Sequence, residues 1–116
     1  MDLQKYCFTL HLKNEEALLA EYDQHHTAVW PEVIQSFREA GILHIEMYRT
    51  GTSVVMIFEV DDQFTFEKKD AIDRSNPVIR QWENLMSSYQ QSAPETLAGE
   101  KWKLMKKIFT YQNPDY

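Results

Sequence analysis

The sequence predicts an α+β domain: one four-stranded antiparallel sheet with helices on a single face. Three observations carry that prediction. Residues 3–12 and 101–111, near the two ends, alternate between apolar and polar with a period of two. Residues 42–49 and 53–60 do the same around the short turn Thr50-Gly51-Thr52, which makes them a hairpin. Helical spacing of apolar residues recurs on each side of that hairpin. The order is β-α-β-β-α-β, and with right-handed crossovers it gives the ferredoxin-like arrangement.

Each element has a local reason. In the first strand Tyr6, Phe8, Leu10 and Leu12 point one way, and Lys5, Cys7, Thr9 and His11 the other. Asn14 offers a helix cap, with Glu15 and Glu16 set against the positive end of the helix dipole. The helix that follows carries Leu18, Tyr22, His26 and Val29. Pro31 interrupts it, because proline in a helix interior costs ~3 kcal/mol. The chain therefore breaks near 26–30 and restarts with Pro31 in the first turn of a second helix. That helix buries Val33, Ile34 and Phe37 and ends at Gly41. The run Ser53–Val60 is the most apolar in the chain and belongs at the centre of the sheet. After Asp61-Asp62, residues Phe64, Phe66, Ala71 and Ile72 indicate a short helix. Asn76-Pro77 starts another, with Val78, Ile79, Trp82, Leu85, Met86 and Tyr89 on its apolar face. Residues 91–99, with Pro94 and Gly99, read as a loop, and 101–111 as the last strand, bulged where its phase changes.

Composition narrows the function. At 116 residues the chain is one domain, 1–116, large enough for a core without staples. Hydrophobic residues at 43% and charged residues at 26% are ordinary globular usage, which argues against disorder. The net charge of −6 argues against nucleic acid and anionic membranes as partners, since both need clustered Lys and Arg. Lys101, Lys103, Lys106 and Lys107 do cluster, but on an edge strand of an acidic protein they read as edge protection. The single cysteine, Cys7, excludes an internal disulfide and a multi-cysteine zinc site, and suits a reducing cytoplasm. No signal peptide or membrane span is visible. Three glycines and no glycine-rich motif leave nothing to cradle a cofactor's phosphates, so no cofactor and no metal are expected. An antiparallel sheet with helices on one face leaves the other uncovered, and a homodimer is the simplest cover.

Tyr22, His26 and Trp30 recur every four residues, so on a continuous helix they share a face. The same spacing serves ordinary core packing. Histidine is the informative member, because it can give and take a proton near neutral pH. His25 points about 100° away from its neighbour, which makes the pair a poor metal site. His44 and Glu46 share a strand face without an evident third ligand. Trp82 beside Glu83 pairs an aromatic face with a carboxylate, a combination that holds sugars: the ring stacks on C–H groups and the carboxylate accepts hydroxyl hydrogen bonds.

At Tyr22-x-x-x-His26-x-x-x-Trp30-Pro31-Glu32 the sequence resembles the L-rhamnose mutarotase family. The resemblance runs on through Gly41, Tyr48, the apolar hairpin strand, Asn76-Pro77, Trp82 and the closing aromatic strand, about Tyr6 to Tyr111. It implies a ferredoxin-like subunit in a dimeric α+β barrel, and cofactor-free interconversion of the α and β anomers of a 6-deoxyhexose. It implies His26 as the proton donor and Tyr22 as a substrate contact, with Trp82 and Glu83 at the family's Trp-Trp pair. Two positions depart from the rhamnose pattern: Ile45 stands where a substrate-contacting tyrosine is usual, and Glu83 where the second tryptophan is. The departures resemble the relatives associated with L-fucose. The resemblance thus implies L-rhamnose, L-fucose or another 6-deoxyhexose as the sugar, bound as a monosaccharide. On the same scaffold, a barrel monooxygenase or haem-type enzyme and a non-enzymatic sugar-binding module are the competing readings.

Overall fold

The computed structural model describes residues 4–91 and 102–115. The elements are β1 (Gln4–His11), α1 (Glu16–His25), α2 (Pro31–Ala40), β2 (Ile42–Thr50), β3 (Ser53–Val60), α3 (Phe66–Ser75), α4 (Pro77–Ser87) and β4 (Lys103–Leu104). The sheet order is β2-β3-β1-β4 and every pair is antiparallel, the ferredoxin-like topology. Each expected helical crossover is a pair of helices. Pro31 divides the first pair, and Pro77 opens the second helix of the other.

Several local expectations hold and several shift. Asn76 caps α4, its side-chain oxygen accepting from the Val78 N–H at 2.9 Å. Gly41 ends α2 in the left-handed conformation (φ 89°), where a Cβ would lie 2.5 Å from Asp61 Oδ1. Asn14 is not the cap of α1. Glu15 takes that position, with no side-chain bond, so the first turn relies on the charge of Glu16. In α2 the buried residues are Val33, Ser36 and Ala40, while Ile34 is 45% exposed because it lies on the flank turned from the sheet. The last strand is much shorter than its alternation suggests. It pairs with β1 at Thr9–Lys103 and Phe8–Leu104, and Met105 adds one more bond to Cys7. Beyond it the tail has no ladder partner among the described residues of this chain, and alternation alone cannot make a strand. The loop with Pro94 and Gly99, and Lys101, lie outside the described residues.

Register sorts the two faces. Tyr6, Phe8 and Leu10 stand opposite Phe58, Met56 and Val54, and these in turn stand opposite Ile45, Met47 and Arg49. This face meets the helices. One core group joins Leu10, Leu12 and Val54 to Tyr22, Val33, Ile79, Trp82, Met86 and Tyr89. A second holds Phe8, Ala40, Ile42, Phe58 and Val60. The other face carries Cys7, Thr9, His11, His44, Glu46, Tyr48, Val55 and Ile57 and has no helix over it.

Candidate active site

The site grows from the last turn of α1. Tyr22 is buried in the core below it. His26 is the C-terminal cap of α1, where the helix has spare carbonyls. Its Nδ1 lies 2.7 Å from the Tyr22 carbonyl oxygen. A carbonyl can only accept, so Nδ1 carries a proton, and Nε2 is left to exchange one. The His26 ring rests on the Tyr22 ring at 4.6 Å and meets the Trp82 ring edgewise at 5.8 Å. Trp82 also meets Trp30 at 5.2 Å and is only 8% exposed. It therefore backs the histidine from the core side.

Burial above all, and then the Asp23 charge, pushes the Tyr22 hydroxyl above its ordinary range. Tyr22 is therefore a neutral hydroxyl at physiological pH and not a phenolate base. The neighbouring His25 also meets the Trp82 ring edgewise, at 6.4 Å, but bonds elsewhere. Its Nε2 donates to the Tyr89 hydroxyl at 3.0 Å, and that hydroxyl donates to Glu21 Oε2 at 3.1 Å. Backbone bonds from Lys13 to Tyr89 and from Gln91 to His11 hold Tyr89 in place against α1.

A cleft of about 200 Å³ opens over His26, lined by Tyr22, Asp23, His26, Met47, Tyr48, Arg49 and Val54. At its rim Arg49 meets Asp23 through two parallel bonds, Nε to Oδ1 at 2.7 Å and Nη2 to Oδ2 at 2.5 Å. The Arg49 guanidinium, by hydrogen bond and charge, holds the Asp23 carboxyl below the usual carboxylate range, and the His26 charge adds to this. A larger depression of about 370 Å³ is lined by Pro77, Arg80, Gln81, Glu83 and Asn84, all from α4. It is the outer surface of one helix and includes none of the groups around His26.

The structure thus gathers Tyr22, His26 and Trp82 and leaves Glu83 apart from them. Helical geometry turns Glu83 about 100° from Trp82, toward α3. There burial first, then the Asp73 and Asp70 charges, raise its carboxyl pKa against the opposing effect of Lys69. Ile45 faces the helices, packed against the second core group. On the opposite sheet face Glu46 accepts from His44 at 2.8 Å and from the Tyr48 hydroxyl at 2.7 Å. Among the described residues, no three of His, Cys, Asp and Glu gather as a metal centre needs. Asp23 and Arg49 escaped the sequence reading. One signal was available: Arg49 continues the helix-facing phase of Ile45 and Met47, an odd place for a cation.

Fold and cleft together describe a small ferredoxin-like domain with a histidine-bearing cleft. The sequence profile of the L-rhamnose mutarotase family matches residues 5–111. The chain belongs to that family, and its reaction class is that of a sugar mutarotase, an isomerase. It is 38% identical over 111 residues to an L-fucose mutarotase of Xanthomonas campestris pv. campestris, covering 94% of this chain and 89% of the relative. It is 26% identical over 97 residues to an L-rhamnose mutarotase of Jannaschia sp., covering 80% and 86%. In fold it is similar to the L-rhamnose mutarotase of Formosa agariphila (TM-score 0.70, 14% identity, 94% of this chain and 99% of that one). The fold is shared more distantly with tetracenomycin F2 cyclase of Streptomyces glaucescens (TM-score 0.57, 16% identity, 96% and 99%).

Proposed function

We propose that the protein interconverts the α and β anomers of L-fucose, with His26 as its proton-transfer group. The observation that carries this reading is the Nδ1 bond of His26 to the Tyr22 carbonyl, which fixes the ring and reserves Nε2 for the substrate. Ring opening breaks the C1–O5 bond as O5 gains a proton and the anomeric hydroxyl loses one. The aldehyde turns about C1–C2, and the hydroxyl at C5 re-adds to its other face. Protonated His26 delivers the proton to O5 and water takes the one from O1; closure returns both. General acid–base catalysis of this kind is worth about 10²–10⁴-fold, roughly 3–5 kcal/mol. The reaction already proceeds in water, so that gain suffices. Tyr22 binds as a neutral hydroxyl, and Trp82, buried behind the cleft, backs the histidine ring. Preference for L-fucose over L-rhamnose is supported by the greater identity to the L-fucose relative and by Ile45 and Glu83 at the departing positions.

The same reading includes a homodimer, in which a second copy covers the open sheet face. Support comes from the half-buried Cys7, Thr9, Val55 and Ile57 on that face and from the tail beside it. Ile108, Phe109 and Tyr111 are 89%, 80% and 71% exposed, more apolar surface than one chain leaves in water without a partner. A cytoplasmic location fits the single free thiol.

The test is proton NMR exchange between the anomers of L-fucose and of L-rhamnose, with and without protein. Faster exchange of L-fucose than of L-rhamnose is expected. Acceleration of neither by folded protein overturns the reading.

A further inference from the structure

We propose that Arg49 and Asp23 are the specificity-determining pair of the cleft, reading two neighbouring hydroxyls of the sugar. The inference rests on the mutarotase reading above and goes on to say how the sugar is chosen. Both residues line the cavity that contains His26. Asp23 stands three residues before His26, on the same side of the last turn of α1. Arg49 stands opposite Val54 on the helix-facing side of the edge strand β2, with Met47 two residues before it. A cation in that apolar company is unusual. A pair this open to water contributes only about 0–1 kcal/mol to stability, so folding gives weak reason to keep it.

Its bonding pattern suits a diol. Arginine has five N–H donors. Arg49 spends one at Nε and one at Nη2 on Asp23, and one at Nη1 on the Gly51 carbonyl at 2.7 Å. One N–H is left on each Nη. Each Asp23 oxygen has capacity for a second donor. The pair therefore offers donors and acceptors side by side, held from α1 on one side and from the β2–β3 turn on the other. A hydroxyl bound there accepts from the guanidinium and donates to the carboxylate, and a vicinal pair can do so twice. Because the two charges cancel, the pair suits a neutral sugar and not a sugar acid. L-Fucose carries its cis hydroxyl pair at C3–C4, and L-rhamnose at C2–C3. With His26 fixed at the ring oxygen, a rigid pair can meet only one of these arrangements well, and the C3–C4 pair is the one assigned.

The experiment measures anomer exchange of both sugars, and saturation-transfer binding of L-fucose, for the wild type, Arg49→Met, Arg49→Lys and His26→Ala. Thermal unfolding of each protein provides the folding control. Losing a charged hydrogen bond costs about 1.5–3 kcal/mol, so Arg49→Met should raise KM for L-fucose tenfold or more. kcat should change less, and the L-fucose to L-rhamnose ratio of kcat/KM should collapse toward one. Arg49→Lys keeps the charge but loses the planar fork; like Arg49→Met it should unfold close to the wild type, and it should not recover selectivity. A purely structural pair would instead lose stability and recover both in Arg49→Lys, which overturns the inference. So does an unchanged KM and ratio in Arg49→Met while His26→Ala abolishes exchange, an outcome that leaves the mutarotase reading standing. If the wild type binds L-fucose but exchanges nothing, and Arg49→Met loses the binding, the pair is upheld and the mutarotase reading falls. If the wild type neither exchanges nor binds L-fucose, both fall.

Discussion

One nitrogen of His26 is already committed, to the Tyr22 carbonyl, and the other is free for the proton transfer proposed above. Among the described residues of the cleft, replacing His26 by Ala removes the one group suited to carry a proton near neutral pH; Arg49 and Asp23 neutralise each other. Exchange of L-fucose anomers should fall about 10²–10⁴-fold, while thermal unfolding shows the fold retained. Undiminished exchange in the folded variant would remove His26 from the mechanism. Glu83 makes a different prediction, about stability. Burial and the Asp73 charge raise its carboxyl pKa in the fold. A native value above the unfolded one means that ionisation disfavours the native state. That penalty is absent below the unfolded carboxylate range, about pH 4, and grows as pH rises through the native value. Glu83→Gln should therefore unfold a few degrees higher at pH 7, a gain under about 1 kcal/mol because the carboxyl is only partly withdrawn from water. The gain should vanish near pH 3. A lower unfolding temperature at pH 7 would contradict the assignment of Glu83 to the α3 charge cluster.

At the scale of elements, the junctions between helices and strands position the site. Pro31 ends what would have been one long helix, and this leaves His26 at a helix terminus instead of inside a helix. Gly41 lets α2 turn directly into β2, its carbonyl accepting from the Asp61 N–H at 2.9 Å. Gly41→Ala puts an L side chain at positive φ, costing about 1–2 kcal/mol. It also drives a methyl group into the Asp61 carboxylate, whose Oδ1 holds the Gln63 N–H at 2.9 Å. A urea titration should show at least that loss. Asn76→Ala, removing the cap of α4, should cost about 1 kcal/mol in the same assay. Equal stability of the Gly41→Ala variant and the wild type would mean that the turn relaxes freely.

For the whole molecule, the one-sided sheet is the dominant fact. Helices cover one face, and the other carries half-buried apolar residues beside an exposed apolar tail. With a second copy over that face, Ile108 and Phe109 are interface residues. Light scattering after gel filtration should give a dimer mass for the wild type and half that mass for the Ile108→Ser/Phe109→Ser double variant. A monomeric wild type would refute the homodimer.

Much of this was legible before any coordinates. Alternation with period two marked the first three strands, because a half-buried strand must alternate. The proline and glycine signals at Pro31, Gly41 and Pro77 marked the helix boundaries, because those residues act on their own backbone. The Tyr22–His26 pair was visible because both sit on one helix. What failed to show were properties of neighbours distant in sequence. The final strand is two residues long because β4 depends on what β1 offers it, and alternation says nothing of that. Ile34 is exposed because the sheet lies elsewhere. Arg49 reaches Asp23 across 26 positions of sequence, and Glu83 is drawn to α3 and not to His26. The sequence by itself determined the fold class and the family, and placed Tyr22 and His26 together, since local backbone preference and a motif on one helix are written in neighbouring residues. Only the tertiary structure decided which side chains share the cleft, because helix rotation and strand register, set by the packing of the whole core, choose the neighbours.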